Sequence, residues 1–181
     1  GTTSGAENYN VFNGLKTGTD RWSPSASAYT SGSWNSTQSN GTTQDVNGNT
    51  WTGEWLQIQL PNKIALKRHI IQTRSSHTHR MVKKGVILGS NTNGTTWNLV
   101  DSWSGLNSGS EREVSIGSVN YYDYYRLVSI ELETGASDAI RTDIQEWELF
   151  GLPEYDPEAD GVDVTVKSLP NVPNTDWLEV Y

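Results

Sequence analysis

The chain has 181 residues, no cysteine and a formal net charge of −8 at pH 7. A chain of this length can bury a core and fits one ordinary domain plus an appendage, and the lack of cysteine excludes a disulfide framework and a thiolate zinc site. The sequence shows no signal-peptide pattern and no apolar run long enough for a transmembrane helix, and its acidic balance argues against nucleic acid as a partner.

Charge is unevenly distributed along the chain. Residues 153–181 carry one Lys against seven acidic residues, whereas residues 1–152 carry 12 basic and 14 acidic residues. No acidic residue lies between Glu54 and Asp101, where seven Lys or Arg and all three His are found. This basic stretch is either ordinary surface charge or a face for an anionic glycan or an anionic membrane.

Short β-rich runs separated by Ser, Thr, Asn and Gly clusters predict an all-β sandwich or barrel. Leu56, Ile58 and Leu60 alternate with glutamines, which is typical of a strand with one buried face. The turn Thr92–Thr95 contains Asn-Gly, a pair that tolerates positive φ. The predicted strands are Trp55–Leu60, Ile64–Thr73, Gly85–Ser90, Trp97–Val100, Arg112–Ile116, Tyr124–Glu133 and Thr142–Phe150.

Two segments depart from this pattern. Residues 30–50 form a long polar stretch, predicted to be either a functional loop or a solvated insertion. Residues 153–161 are typical of an acidic linker, and residues 162–181 of the start of a further β domain or an extended tail. We therefore expect the chain to be a fragment of a longer, multi-domain protein.

A series of short motifs runs in a fixed order over residues 5–152. The motifs are AENYNVFNG (6–14), DRW (20–22), GEWLQIQLP (53–61), GSNTNGTTW (89–97), YYRL (124–127) and IQEWELFG (144–151). Together they resemble the discoidin, or coagulation factor 5/8 type C, family, which includes galactose-binding modules of bacterial glycosidases. The resemblance implies a discoidin-like jelly-roll β-sandwich for residues 1–152. The tail is similar to segments that precede lectin-like domains in surface proteins of large algal viruses.

The resemblance also implies a structural Ca²⁺ ion near the chain termini, because galactose-binding members of the family hold one there. Ca²⁺ takes six to eight oxygen ligands in proteins. Asn13 stands where the family usually has Asp, so a hydrogen-bonded latch without metal is the alternative. The residues on the family's ligand positions are Asn10, Asn13, Asp20 and Glu146, with carbonyls near Leu15 and Gln145.

The segment 74–80 is the candidate ligand loop, since similar modules bind galactose with His, Arg and Asn in this region. Aromatic rings can stack on a sugar, while Arg and His donate directed hydrogen bonds. A solvated loop is the alternative, and a zinc site from His69, His77 and His79 is disfavoured because no carboxylate lies nearby in sequence. The candidate ligand residues are Arg74, His77, His79 and Arg80, with Trp34, Trp51, Trp103 and Arg141 as partners.

Four other tryptophans are expected to be packing residues. Trp22, Trp55 and Trp147 lie in the family motifs, and Trp97 follows the predicted turn.

Catalysis finds little support in the sequence. No nucleophile elbow, zinc-protease, phosphate-loop or dinucleotide motif occurs. Glu146 and Glu148 share one strand face, unlike a glycosidase pair placed across a cleft. We therefore expect a non-catalytic chain.

The sequence thus predicts a carbohydrate-binding, lectin-like module of a larger extracellular, cell-surface or virion-surface protein, with other subunits or domains of that protein as further partners. The alternative is a structural module that docks onto other subunits without a sugar site. A third possibility is binding to membrane headgroups, although insertion into lipid is disfavoured because the long loop is polar apart from Trp34.

Overall fold

The computed structural model describes residues 8–16, 20–24, 28–35, 41–105, 111–133, 138–154, 167–168 and 178–179. Two 3-10 helices span Asn8–Phe12 and Ser75–Arg80. Across these ranges no helix has the length and apolar character that a membrane crossing requires. The strands are β1 (Tyr29–Thr30), β2 (Ser33–Trp34), β3 (Thr42–Gln44), β4 (Thr50–Thr52), β5 (Glu54–Gln72), β6 (Val82–Ser90), β7 (Asn98–Ser104), β8 (Glu111–Ser115), β9 (Tyr122–Leu132), β10 (Glu146–Pro153), β11 (Lys167–Ser168) and β12 (Leu178–Glu179).

Strand β5 has 19 residues and takes part in both layers of the fold. Its first part, from Glu54 to Gln59, pairs antiparallel with β9, and its second part, from Ile64 to Gln72, pairs with β10 and β8. The register with β9 is interrupted between Gln59 and Ile64, where Pro61 has no N–H to donate. The strand therefore passes from one layer to the other at this point.

The two layers form the expected all-β sandwich. The eight strands β1, β2 and β5–β10 are hydrogen-bonded into one continuous sheet, which β5 divides into two layers. The large sheet contains β1, β2, β9, the first part of β5, β6 and β7, and the small sheet contains β8, the second part of β5 and β10. Leu56 and Leu127 of the large sheet pack in one core with Leu66, Ile71 and Trp147 of the small sheet. Burial of these apolar side chains is the main force that holds the sheets together.

The period-two pattern of β5 is confirmed. Leu56 is buried, and Ile58 and Leu60 pack against the same core, while Gln57 lies on the outer face of the large sheet, where its side chain contacts Arg126. The strands predicted at Trp55–Leu60 and Ile64–Thr73 are parts of one continuous strand.

The Asn-Gly turn is also confirmed. Asn93 and Gly94 have φ values of 54° and 70°, and the Thr95 N–H donates to the Thr92 carbonyl over 3.1 Å.

Part of the long polar stretch is ordered structure and not an irregular loop. Strands β3 and β4 pair as a hairpin, with Thr43 opposite Trp51. The Val46 N–H donates to the Trp97 carbonyl over 2.9 Å, which ties the hairpin to the segment before β7. Trp51 packs against a second apolar cluster on the outer face of the large sheet, so the hairpin covers part of that face. Residues 36–40 of the stretch lie outside the described residues.

Three of the four tryptophans expected to be packing residues are buried, namely Trp22, Trp97 and Trp147. The prediction was wrong for Trp55, whose side chain is 39% exposed. The reason is its position in β5, since Trp55 shares the outward face with Gln57.

Strand β10 ends at Pro153, which pairs with Ile64. Residues 155–166 lie outside the described residues, and within 162–181 only the pair of two-residue strands β11 and β12 is described. The linker and the further domain therefore stay predictions.

One end of the sandwich, here called the apical end, contains both ends of β5 and the segments 73–81 and 138–145. A buried polar network holds the second segment. The Thr142 N–H donates to Glu54 Oε2 over 2.8 Å, and the Thr142 hydroxyl lies 3.2 Å from the Tyr29 hydroxyl. The Tyr29 hydroxyl donates to the Ser129 carbonyl over 2.6 Å. Buried polar groups of this kind are costly to leave without partners.

Burial raises the pKa of Glu54 to about 7 from an ordinary value of 4.5. The folded protein therefore holds this proton more tightly than the unfolded chain does. The resulting contribution to stability is complete below pH 4.5 and is lost as the pH rises through about 7.

Replacing Glu54 with Gln should remove this pH dependence, because a neutral amide can still accept the Thr142 N–H. We expect Glu54→Gln to match the parent protein at pH 4 and to exceed its free energy of unfolding at pH 8 by roughly 2–3 kcal/mol. Urea denaturation at both pH values measures the difference. The surface variant Glu113→Gln is the control, and equal pH dependence in all three proteins would contradict the prediction.

Candidate functional site

The candidate ligand loop lies at the apical end. Arg74 follows β5 with an extended backbone, and the 3-10 helix Ser75–Arg80 then leads to Met81 and β6. The helix is kinked at His77, which has φ −140° and ψ 43°. The kink places the His77 and His79 rings 5.6 Å apart.

A fully buried carboxylate, that of Asp143, organises the loop. Arg21 Nε lies 3.2 Å from Asp143 Oδ1, and Arg80 Nη1 lies 3.5 Å from Oδ2. Arg74 donates to the same Oδ2 through Nε, at 2.9 Å, and through Nη2. A buried carboxylate is tolerated only when it is paired and hydrogen-bonded, and here three guanidinium groups do this.

A second carboxylate, that of Asp138, holds the far side of the loop. Its Oδ2 accepts from Arg80 Nη2 over 3.0 Å, and its Oδ1 lies 2.8 Å from His79 Nε2. Arg80 is only 6% exposed, and its guanidinium group pairs with both Asp138 and Asp143. Arg74 and Arg80 thus act first as internal ties between the loop and the segment 138–143.

His77 and Arg141 are less tightly held than these two arginines. His77 is half-buried, and its Nδ1 lies 2.8 Å from the Ser76 hydroxyl. Burial lowers the pKa of His77, and the charges of Arg74 and Arg80 lower it further, which favours the neutral ring. A neutral imidazole has one donor and one acceptor nitrogen.

Arg141 lies in the same apical segment and is half-buried. Its Nε is buried and has no hydrogen-bond partner among the residues that the structure describes, nor does a carboxylate there form an ion pair with it. The positive charge of Arg141 acts on Glu54, whose pKa it lowers against the larger effect of burial.

The three candidate tryptophans are all half-buried, and they lie in different places. Trp34 is in β2, with its ring 5.4 Å from the Tyr29 ring in an edge contact. Trp103 lies in β7, 5.2 Å from the buried His69 ring. Trp51 packs on the outer face of the large sheet and donates from Nε1 to Asp45 Oδ2 over 3.1 Å.

The first 3-10 helix, which contains Asn10 and is followed by Asn13 and Leu15, packs on β10, which begins at Glu146. The Phe12 and Trp147 rings are 5.8 Å apart, and the Gly14 N–H donates to the Glu146 carboxylate. The Asn13 side-chain oxygen accepts the Leu15 N–H over 2.8 Å.

The other predicted calcium-binding residues differ in how far they are buried. Asn10 and Gln145 are buried at 8% exposure, and Asp20 is half-buried. Glu146 is 4% exposed, and its Oε2 is buried without a hydrogen-bond partner among the described residues. A buried carboxylate oxygen that lacks a partner fits a cation, so the donor types are compatible with Ca²⁺.

The structure gives no support to a zinc site. Within the described ranges, no three His, Cys, Asp or Glu side chains are grouped as a metal site would require. His69 is fully buried against Trp103, on a strand of the core and not in the loop with His77 and His79.

Solved structures share this architecture over most of the chain. The family 32 carbohydrate-binding module of Streptococcus pneumoniae EndoD aligns with a TM-score of 0.57 at 14% identity, over 83% of this chain and 89% of that one. The fold of this chain is that of the family 32 carbohydrate-binding modules. These modules have the discoidin-like fold that the sequence motifs predict.

Two further solved structures align with slightly lower TM-scores. Chitosan-binding module 1 of a chitosanase/glucanase from Paenibacillus sp. IK-5 has a TM-score of 0.54 at 16% identity, over 82% of this chain and 88% of that one. The family 32 module of Clostridium perfringens NanJ, solved with galactose, has a TM-score of 0.54 at 13% identity, over 82% and 87%. No protein-family model and no curated protein matches the sequence.

Sequence reasoning missed the residues that organise the apical end. Asp143 and Glu54 are both buried, and neither belongs to a pattern that separates a buried acid from a surface one. The local signal is Arg141-Thr142-Asp143, a pair of opposite charges shortly before β10.

Asp143→Asn should destabilise the protein strongly, because it removes the shared counter-charge of three arginines. Breaking a buried ion pair typically costs about 3–5 kcal/mol. Glu113→Gln is the matched control, since Glu113 pairs with Arg68 at the surface over 3.1 Å and surface pairs contribute roughly 0–1 kcal/mol. Urea denaturation at pH 7 compares the two variants, and equal losses would refute a central role for Asp143.

Proposed function

We propose that the domain is a non-catalytic carbohydrate-binding module that recognises glycans with its apical end. The observation that carries the proposal is the fold, which aligns with carbohydrate-binding modules over 82–83% of the chain. The segment 74–80 and Arg141 also meet at one end of the sandwich, where they supply several directed donors.

The apical residues divide into two roles in this proposal. Asp143 and Asp138 fix Arg74 and Arg80, and this keeps the loop in one conformation. His77 and Arg141 are the donors that meet sugar hydroxyls. A rigid, preorganised loop lowers the entropic cost of binding a small polar ligand.

Trp34 is the aromatic partner that best fits this site. It is half-buried, lies in β2 at the apical end and is braced by Tyr29. The exposed part of an indole ring provides an apolar surface for the C–H face of a sugar. Trp103 and Trp51 are engaged elsewhere in packing.

The setting of the module is part of the same proposal. A single site of this kind binds weakly, because sugars bury little apolar area and compete with water. Several copies on one surface raise the overall affinity through avidity. The module then belongs to a larger extracellular protein, on a cell or virion surface, and mediates attachment to glycans.

We also propose a structural Ca²⁺ ion between the first 3-10 helix and β10. Glu146 would ligate it with the carboxylate oxygen that lacks a partner, together with oxygens of Asn10, Asn13 and Asp20 and nearby backbone carbonyls. Bound there, the ion would neutralise the buried carboxylate and stabilise the N-terminal segment against β10.

A glycan array probed with the purified chain tests the main proposal. We expect binding to a defined sugar, and we expect His77→Ala and Arg141→Met each to weaken it about tenfold or more, as loss of a hydrogen bond from a directed or charged donor does. Arg68→Met is the matched control, because Arg68 lies on the small sheet and pairs with Glu113.

Circular dichroism and urea denaturation must show that each variant is folded. A folded parent protein that binds no glycan would overturn the proposal and favour a module that docks onto other subunits. Equal weakening by Arg68→Met would show that the loss does not come from the apical end.

Saturating Ca²⁺ should raise the melting temperature by several degrees over the value in chelator, since a ligand at a hundred times its Kd adds about 2.7 kcal/mol. Glu146→Gln should abolish this rise, while Glu148→Gln should keep it because Glu148 pairs with Lys16 at the surface. Differential scanning calorimetry measures the shifts. Identical melting of the parent protein with Ca²⁺ and with chelator would disprove the metal site.

A further inference from the structure

A cleft of about 390 Å³ opens on the outer face of the large sheet. One wall is the hairpin strand β3, and the other is the turn before β7. The volume falls within the roughly 300–1,000 Å³ of small-molecule sites. The residues that line the cleft include Thr42, Thr43, Asp45, Thr96, Trp97 and Arg126.

Arg126 is fixed in this cleft by stacking and by hydrogen bonds. Its guanidinium carbon lies 4.1 Å from the centre of the Trp55 ring and 4.2 Å from that of Trp97. Nε and Nη2 donate to Gln57 Oε1 over 3.3 and 2.7 Å, and Nη1 donates to Thr43 Oγ1 over 2.8 Å. Guanidinium has five N–H donors, so one remains on each terminal nitrogen.

The charge of Arg126 is not neutralised by the protein. Among the residues that the structure describes, no carboxylate forms an ion pair with it. Burial alone lowers the pKa of Arg126 to about 10, so it stays positively charged at neutral pH. This is the opposite of Arg74 and Arg80, which share Asp143.

Asp45 does not supply the missing counter-charge, although it lines the same cleft. Its Oδ1 accepts the backbone N–H groups of Asn47 and Asn49 over 2.9 and 3.0 Å. Its Oδ2 accepts from the Asn49 amide and from Trp51 Nε1 over 3.0 and 3.1 Å. The carboxylate is therefore committed to the turn of the hairpin.

The rim of the cleft is rich in hydroxyl groups. The side chains of Thr42 and Thr96 are exposed, and neither hydroxyl bonds to another group in the described part of the chain. The Trp55 ring beside Arg126 is 39% exposed. Hydroxyls, an exposed indole and an uncompensated guanidinium suit a ligand that has hydroxyl groups, an apolar face and a negative charge.

We propose that this cleft is a second binding site, which takes a carboxylated sugar residue of an acidic polysaccharide, a hexuronate. The planar carboxylate binds the two remaining N–H groups of Arg126, and sugar hydroxyls bind Thr42 and Thr96. A guanidinium matches a carboxylate in shape as well as in charge. The inference rests on the proposed function for the class of ligand, but its site lies on the sheet face and not at the apical end.

Isothermal titration calorimetry with a trimer of galacturonic acid and a trimer of galactose tests the inference. We expect the acidic trimer to bind at least tenfold more tightly than the neutral one, with an affinity that falls as salt is added. Arg126→Lys keeps the positive charge but loses the planar pair of N–H donors. It should therefore weaken binding of the acidic trimer at least tenfold.

Since Arg126 also supports packing, Thr42→Glu is the second variant. Thr42 is exposed, so the new carboxylate should repel the ligand at the rim without affecting the fold. Arg68→Met, which removes an arginine outside both sites, should leave binding of the acidic trimer unchanged.

Equal binding of the two trimers, or no binding of the acidic one, would overturn the inference whatever the glycan array shows. Unchanged affinity in folded Thr42→Glu would overturn it as well. If His77→Ala alone abolished binding of the acidic trimer, the trimer would bind at the apical end. That result would refute the second site but keep the proposed function.

Discussion

The fold depends on one strand that serves two sheets. Because β5 leaves the apical end, bends near Pro61 and returns, its first residue, Glu54, and its last, Gln72, lie at the same end of the sandwich. The loop after Gln72 and the segment before β10 therefore meet above the core. The apical loop owes its position to this return of the chain, and the core residues Leu56 and Leu66 keep the two parts of the strand together.

The arginines at the apical end and Arg126 on the sheet face lie in different electrostatic environments. At the apical end, Asp143 is surrounded by guanidinium groups, and the positive charge there is shared and partly neutralised. On the sheet face, Arg126 is surrounded by two indole rings, an amide and a hydroxyl, all of which leave its charge intact. The first arrangement builds a rigid loop, while the second keeps a cation available to an incoming anion. Removing a cation from water without a counter-ion costs free energy. The environment of Arg126 therefore indicates a role in ligand binding more than a role in structural support.

Local patterns in the sequence predict the strands and turns well. The alternation in β5 and the Asn93-Gly94 turn depend on neighbours one to four residues away, and both are confirmed. The contacts that build the sites depend on distant residues. Arg74 meets Asp143, and Arg126 meets Gln57, each across 69 positions of sequence. The choice of the segment 74–80 as the candidate ligand loop followed from the family resemblance, whereas the burial of Asp143 and the stacking of Arg126 could be seen only once the sheets were assembled.

Strand β10 connects the apical segment to the exit of the chain, since it begins at Glu146 beside Gln72 and ends at Pro153 beside Ile64. A molecule held by the apical loops and pulled through the residues after Pro153 would be stretched along this strand. The hydrogen bonds between β10 and β5 would then be sheared together instead of being opened one at a time. A pull along β10 is therefore resisted by all of its hydrogen bonds to β5 at once, which makes this pair of strands mechanically strong in that direction.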